Sequence, residues 1–368
     1  MLLRRSIVGT FARSTAQPLR GGLLHTSGTS VRQQSGLPAK SFTVQPLVDR
    51  AFIRVHGADS DSFLQGLMTN DMRHFAHCDA IYAMFLKANG RVFCDALIYK
   101  QASKELPDDY LLECDSSVAP RLEKHLRMYR LKKKVQVMAD ESFRLWVAFR
   151  NGAEDEEGPS SEETTVDGGG QLQMFKDPRL ARLGCRVVSS ASDQAADTME
   201  QLHKMFPRAT MVPTESGSLP YTSFRYSLGV GEGAENLPDG KCFPLECNCD
   251  YLHGVSFHKG CYIGQELTAR TYHTGVIRKR LMPLEFDASP TLTNVPPEAL
   301  RDAEIKNQDG AVVGKLRGLA GNFGLALLRI EKVPPGGELS LNVAGVSDPI
   351  LCRTRKPFWW PKETNARH

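Results

Sequence analysis

Two apolar runs meeting at Asn89-Gly90 constrain the fold of this chain more than any other stretch. Ala80 to Leu86 and Arg91 to Tyr99 have the length and composition of strands, and Asn-Gly is a dipeptide that tight hairpin turns favour because both residues tolerate φ > 0. An antiparallel sheet is therefore expected early in the chain. Ala51 to Val55 alternates like a further strand, and Tyr110 to Cys114 continues the sheet. Val135 to Met138, Phe143 to Phe149, Leu172 to Phe175 and Cys185 to Val188 also read as strands. Three segments have helical spacing instead. Asp59 or Ser60 caps a helix with Phe63, Leu64, Leu67 and Met68 on one face. Val118 to Arg130 aligns Val118, Leu122, Leu126 and Tyr129, and Gln194 to Met205 carries Met199, Leu202 and Met205. From Met282 onward, short strands separated by Gly310, Gly314, Gly318, Gly321 and Gly324 suggest a small β-barrel, with Leu325 to Ile330 its most apolar strand. Phe358-Trp359-Trp360-Pro361 is expected to pack back as an aromatic latch. The pattern is α+β followed by β.

The two ends of the chain differ in charge. Residues 1–48 contain no Asp or Glu but carry Arg4, Arg5, Arg13, Arg20, Arg32 and Lys40 among many Ser and Thr, the composition of a mitochondrial presequence. Taking residues 1–40 as that presequence lowers the formal net charge from +4 to −2. The basic balance thus belongs to the address segment, and nucleic-acid binding loses its main support. Lys132-Lys133-Lys134 remains and reads as a solvated strand edge. No apolar run approaches the ~18 residues of a membrane span. Residues 151–170 hold seven acids and no base, which predicts a disordered surface insertion.

Chemistry concentrates in Lys259-Gly260-Cys261-Tyr262-Ile263-Gly264-Gln265-Glu266-Leu267. One thiol stands between two glycines and between a cation and a carboxylate. Gly260 and Gly264 suggest a shaped loop presenting Cys261, and Lys259, with His258, would favour the thiolate, the form that attacks carbon or binds metal. Cys242, Cys247, Cys249 and Cys261 raise the question of a metal site. Zinc sites favour closer Cys pairs, however, and C-x-C points its side chains to opposite faces of an extended segment. Nine cysteines spread over the chain do not suggest a disulfide framework.

The nine-residue stretch, continued by Thr268-Ala269-Arg270, resembles the defining motif of the YgfZ-like proteins, folate-binding relatives of the glycine-cleavage aminomethyltransferase. Gly57 to Asp71 resembles that family's first conserved helix and Lys87-Ala88-Asn89-Gly90-Arg91 its first hairpin turn, so the resemblance runs from about Phe42 to Trp360. With the basic leader, it is closest to the family's mitochondrial iron-sulfur assembly members. The resemblance implies an aminomethyltransferase-like three-lobed folate-binding fold. Residues 41–281 would form the folate-binding part around a central channel, and residues 282–368 the C-terminal β-barrel. It also implies a mitochondrial matrix location, an A-type iron-sulfur scaffold protein and apo [4Fe-4S] clients as partners, and an indirect effect on haem synthesis.

Two functions follow. In the first, Cys261 is a metal ligand in late [4Fe-4S] maturation. A cluster takes about four protein ligands and this motif offers one thiol, so a partner must complete the site. Lys259, Tyr262, Gln265, Glu266 and Arg270 would bind the cofactor, orient the loop or dock the partner. In the second, the chain is a tetrahydrofolate-dependent aminomethyl transferase, with Asp95 stabilising charge near the folate nitrogen. The transferases show an Asp pair there, of which Cys94-Asp95 keeps only the second. A cysteine hydrolase using His253, His258 or His273 as base is a third reading.

Overall fold

The computed structural model describes residues 42–101, 108–150, 172–216, 219–288 and 297–361, together with Val295. The expected presequence and the acidic stretch 151–170 lie outside the described residues.

The chain opens with β1 (Thr43–Pro46), β2 (Arg50–His56) and the short α1 (Ser60–Gln65). There follow β3 (Ala80–Leu86), β4 (Val92–Lys100), β5 (Asp109–Asp115), α2 (Ala119–Arg130) and β6 (Gln136–Asp140). Next come β7 (Phe143–Phe149), β8 (Leu172–Lys176), β9 (Cys185–Ser190), α3 (Ala195–Met205) and β10 (Thr210–Met211). Three helices, α4 (Leu219–Ser227), α5 (Gly233–Asn236) and α6 (Gln265–Thr274), lead to the terminal strands. These are β11 (Lys279–Glu285), β12 (Glu304–Lys306), β13 (Val312–Ala320), β14 (Phe323–Arg329), β15 (Glu338–Asn342) and β16 (Ile350–Thr354).

Two five-stranded sheets, ordered β3-β4-β5-β2-β6 and β10-β1-β7-β9-β8, stand beside a closed barrel, β11-β14-β13-β12-β15-β16. Each sheet carries a helix on its outer face. Leu122 and Leu126 of α2 pack with Ile53, Ala83 and Leu112 of the first sheet, and Leu202 of α3 packs with Val44, Ala148 and Val187 of the second. The inner faces meet in a common core that joins Tyr82, Met84 and Leu97 to Leu145, Val147 and Phe149, and to Leu281 and Leu325 of the barrel. Every residue of β3 is therefore buried. This explains why its sequence is a continuous apolar run rather than an alternating one. Burial of each large apolar side chain contributes about 1.5–3 kcal/mol, so this shared core fixes the two α+β units and the barrel against one another.

The barrel begins at Lys279, three residues before the sequence suggested, and its glycines divide into two kinds. Gly310 and Gly321 are turn residues with φ of 78° and 59°. Gly314, Gly318 and Gly324 lie inside strands instead, where a missing Cβ permits close approach. A Cβ on Gly318 would stand 2.1 Å from the Tyr226 hydroxyl of α4, and the Asn236 amide of α5 donates to the neighbouring Arg317 carbonyl at 2.8 Å. The terminal aromatics close the contact from the other side. Trp359 Nε1 donates to the Leu228 carbonyl at 2.8 Å, and Trp360 lies 5.9 Å from the Tyr251 ring. Lys132-Lys133-Lys134 departs from expectation: it lies in the turn between α2 and β6, not on a strand.

Candidate functional site

The three segments singled out in the sequence converge on one place. Gly264 carries φ of 78° and precedes α6, and a Cβ there would lie 2.4 Å from the Lys87 carbonyl oxygen and 3.3 Å from Gly90 Cα. Only glycine permits that backbone conformation and that approach without strain. The motif loop thus rests on the Asn89-Gly90 turn, and Leu267 of α6 packs against Gly90 from above. The Ile263 amide donates to the Gly66 carbonyl at 3.1 Å, which fastens the same loop to the end of α1. Asn70 Nδ2 donates to the carbonyls of Tyr82 and His253, and Thr69 Oγ1 to that of Gly254 at 2.6 Å. The chain leading into the motif is thus hydrogen-bonded to the same region.

Lys259 has a different task from the one its sequence position suggested. Its ammonium donates to the Gln65, Met68 and Asn70 carbonyls at 2.7, 2.7 and 2.6 Å and lies 4.9 Å from the Tyr262 ring centroid. These carbonyls terminate and follow α1, so the cation satisfies acceptors that a helix end leaves unpaired. Burial lowers the Lys259 pKa to about 8, against the opposing pull of the Asp71 carboxylate. Asp71 is itself held down to about 2, chiefly by hydrogen bonding from Arg73. Lys259 is therefore an anchor of the loop, directed inward.

The rest of the motif divides into support and display. The Gln65 and Gln265 side chains both cap: Gln65 Oε1 accepts from the Met72 amide at 2.8 Å, and Gln265 Oε1 from the Tyr262 amide at 3.1 Å. Tyr262 is half-buried, and burial raises its hydroxyl pKa. Phe257 and Tyr272 stack at 3.6 Å and 13°, bracing the entry of the loop against α6. Gly260 and Cys261 are exposed at the tip, with nothing within 4 Å of a Cβ built on Gly260. Glu266 and Arg270 are exposed on the first turns of α6. His253, His258 and His273 are exposed too, and no hydrogen bond joins any of their imidazoles to Cys261 among the described residues. A thiol without a bound base is poorly prepared for hydrolysis.

The remaining cysteines of the region lie elsewhere. Cys242, Cys247 and Cys249 are buried, and Cys261 is exposed. A hydrogen bond between the Cys242 and Cys247 thiols is the largest influence raising the Cys247 pKa, with burial next, and burial raises Cys249. Among the described residues no group of three or more His, Cys, Asp or Glu is placed to hold a metal ion.

Asp95 belongs to a second constellation, between the two sheets. Strand alternation sends Cys94 into the outer core beneath α2 and Asp95 toward the centre. There Asp95 accepts from the Gly233 amide at 3.1 Å and the Tyr82 hydroxyl at 3.5 Å, and burial raises its pKa. Around it lies a buried charge network that the sequence pattern did not disclose. Glu113 pairs with Arg50 at 2.8 Å and Arg186 at 3.3 Å, Glu232 with Arg179 and Arg186 at 2.7 Å each, and Asp177 with Arg179 at 2.7 Å. Arg179 Nη1 is buried without a hydrogen-bond partner. This centre does not fit tetrahydrofolate as packed. Asp95 is 1% exposed with both oxygens engaged by the protein, which leaves no free carboxylate to face a pterin nitrogen.

Residues 278–362 match the CAF17 C-terminal beta-barrel domain. The crystal structure of the glycine cleavage system aminomethyltransferase T from Bartonella henselae superposes with a TM-score of 0.63, covering 87% of this chain and 86% of that one at 14% identity, which shows a shared fold. Similar relatives include the mitochondrial iron-sulfur cluster assembly factor IBA57 of Mus musculus, 34% identical over 98% of both chains. The Homo sapiens protein of that name is 37% identical over 85% of this chain and 83% of its own. The Mycosarcoma maydis homologue is 30% identical over 99% and 98%. On likeness that spans nearly its whole length, this chain belongs to the IBA57 family of mitochondrial iron-sulfur cluster assembly factors.

Proposed function

We propose that this protein acts late in the maturation of [4Fe-4S] proteins in the mitochondrial matrix, with Cys261 as one ligand to cluster iron and an A-type scaffold protein supplying the others. The observation that carries the reading is an exposed thiol at the tip of a loop whose base is fixed at Lys259, Ile263 and Gly264. A cluster takes about four ligands, so a lone, displayed thiol suits a site completed by a second protein. The cluster is cargo in this scheme. Glu266 and Arg270, exposed on α6 just after the Cys261 loop, are charged side chains that would face the partner. The clients are aconitase-like, lipoyl-synthase-like and radical enzymes, and haem synthesis responds indirectly through cluster supply. Tetrahydrofolate-dependent aminomethyl transfer is the weaker reading, since Asp95 is engaged within the protein.

Activation of an apo aconitase-like enzyme by an A-type scaffold, with and without this protein, tests the proposal. The wild-type chain should accelerate activation, and Cys261→Ser should remove most of that acceleration while leaving Tm unchanged, because the thiol is exposed and serine is close to it in size. Undiminished activation by Cys261→Ser would rule out the ligand role.

A further inference from the structure

The face of α2 turned away from the core does not take part in the site described above. Ala119, Leu122 and Leu126 are buried, while Lys124, Arg127, Met128 and Leu131 follow at helical spacing on the opposite side and are all exposed. Met128 is 63% exposed and Leu131 83%. Between residues 121 and 134 the chain carries Arg121, Lys124, Arg127, Arg130, Lys132, Lys133 and Lys134 against the single acid Glu123. Arg121 pairs with Asp239, Arg127 with Glu123, and Lys133 donates to Ser62 Oγ. Lys124, Arg130, Lys132 and Lys134 form no side-chain ion pair among the described residues. Cations at a helix C-terminus complement its dipole, which accounts for some of this charge. It does not account for the two apolar side chains among them. Nor does it account for the backbone of Leu131, whose φ of 50° and ψ of −118° are the angles of a glycine in a tight turn. A leucine is held there against its conformational preference, with its side chain in water.

We propose that the exposed face of α2 and the turn after it dock on an anionic phospholipid surface. Exposed ammonium and guanidinium groups around a projecting leucine and methionine match the layers of such a surface, with phosphates at the level of the cations and acyl chains just beyond. An acidic protein face would answer the charges but leave Leu131 without a reason to project. The placement also bears on the motif. Lys133 holds Ser62, and the Cys261 loop is fastened at Gln65 and Gly66, about one helical turn further along. Docking at α2 therefore brings the Cys261 loop close to the membrane.

Flotation of the full-length chain with vesicles of phosphatidylcholine containing 30% phosphatidylglycerol, combined with hydrogen exchange, tests this. Because the basic N-terminal segment is common to all variants, the comparison isolates α2. Amides of residues 127–134 should become protected on the vesicles, and the double variant Lys132→Glu, Lys134→Glu should bind about tenfold more weakly or worse. Leu131→Gly should bind about fivefold more weakly without a lower Tm, since glycine suits that backbone. Unchanged binding by these variants, no protection of residues 127–134, or equal binding to pure phosphatidylcholine would overturn the proposal. So would equal protection by poly-glutamate in solution, which would point to an acidic protein instead.

Discussion

Gly264→Ala is expected to undock the motif loop and abolish client activation while the sheets and barrel remain folded. Alanine at φ of 78° costs about 1 kcal/mol, and its Cβ would meet the Lys87 carbonyl at 2.4 Å, a backbone atom that cannot rotate away. Together these favour the undocked loop by about 3 kcal/mol, roughly a hundredfold. Hydrogen exchange reads the change directly, at the Ile263 amide bound to Gly66 and the Gln265 amide bound to Tyr262. Both should exchange about a hundred times faster. Gly260→Ala provides the control, because nothing lies within 4 Å of its Cβ, and it should leave exchange at both amides unchanged. Equal protection of Gly264→Ala and wild type would show that the turn contact does not hold the loop.

Arg186→Met should be the most damaging single substitution in the central network. Arg186 is fully buried, it bridges Glu113 to Glu232, and Nη1 also donates to the Tyr221 hydroxyl at 2.7 Å. Its removal leaves two buried carboxylates short of a countercharge, which costs about 3–5 kcal/mol. Urea unfolding at pH 7 measures that loss; a change below about 1 kcal/mol would mean that the network tolerates an open position. The pH dependence follows from Glu232. Burial pushes its pKa up, but Arg186, Arg225, Arg179 and Arg50 together pull it well below the usual glutamate value. A carboxyl lowered in the folded state contributes stability above its unfolded pKa, and that contribution disappears as pH falls through the folded value. Arg186→Met weakens the pull and moves the folded pKa of Glu232 back toward the unfolded one, so the variant, less stable at pH 7, should lose less further stability on acidification than the wild type.

Local pattern carried most of the fold. β3 and β7 occupy the residues expected of them, and α2 and α3 differ from expectation by a single residue at the start, because strand and helix periods are strong wherever one element buries one consistent face. α6 was harder to read. Its hydrophobic face is weak, and its start is fixed by Gly264 against a hairpin turn more than 170 residues earlier in the chain, a relation no local window contains. Lys259 shows the same difficulty. Beside a cysteine in sequence, a lysine suggests thiolate activation, whereas in three dimensions its ammonium lies on carbonyls at the end of α1. The central network was hidden because Arg50, Glu113, Arg186 and Glu232 come from separate elements, and each alone resembles a surface charge. Thr69 and Asn70 had a signal that sequence reading passed over. Two small polar residues directly after an apolar helix face are well suited to bond backbone, and here they hold the chain at Gly254 and His253.

The most direct measurement is anaerobic reconstitution of this protein and an apo A-type scaffold with ferrous iron and sulfide, followed by gel filtration with detection of protein and visible absorbance. Wild-type protein should carry a cluster chromophore in a peak containing both chains, whereas neither chain alone should reproduce that spectrum. Cys261→Ser should elute folded, without the shared chromophore. A shared chromophore retained by Cys261→Ser, or an identical cluster spectrum from this protein without the scaffold, would contradict the assignment of Cys261 as one ligand of a site completed by a second protein.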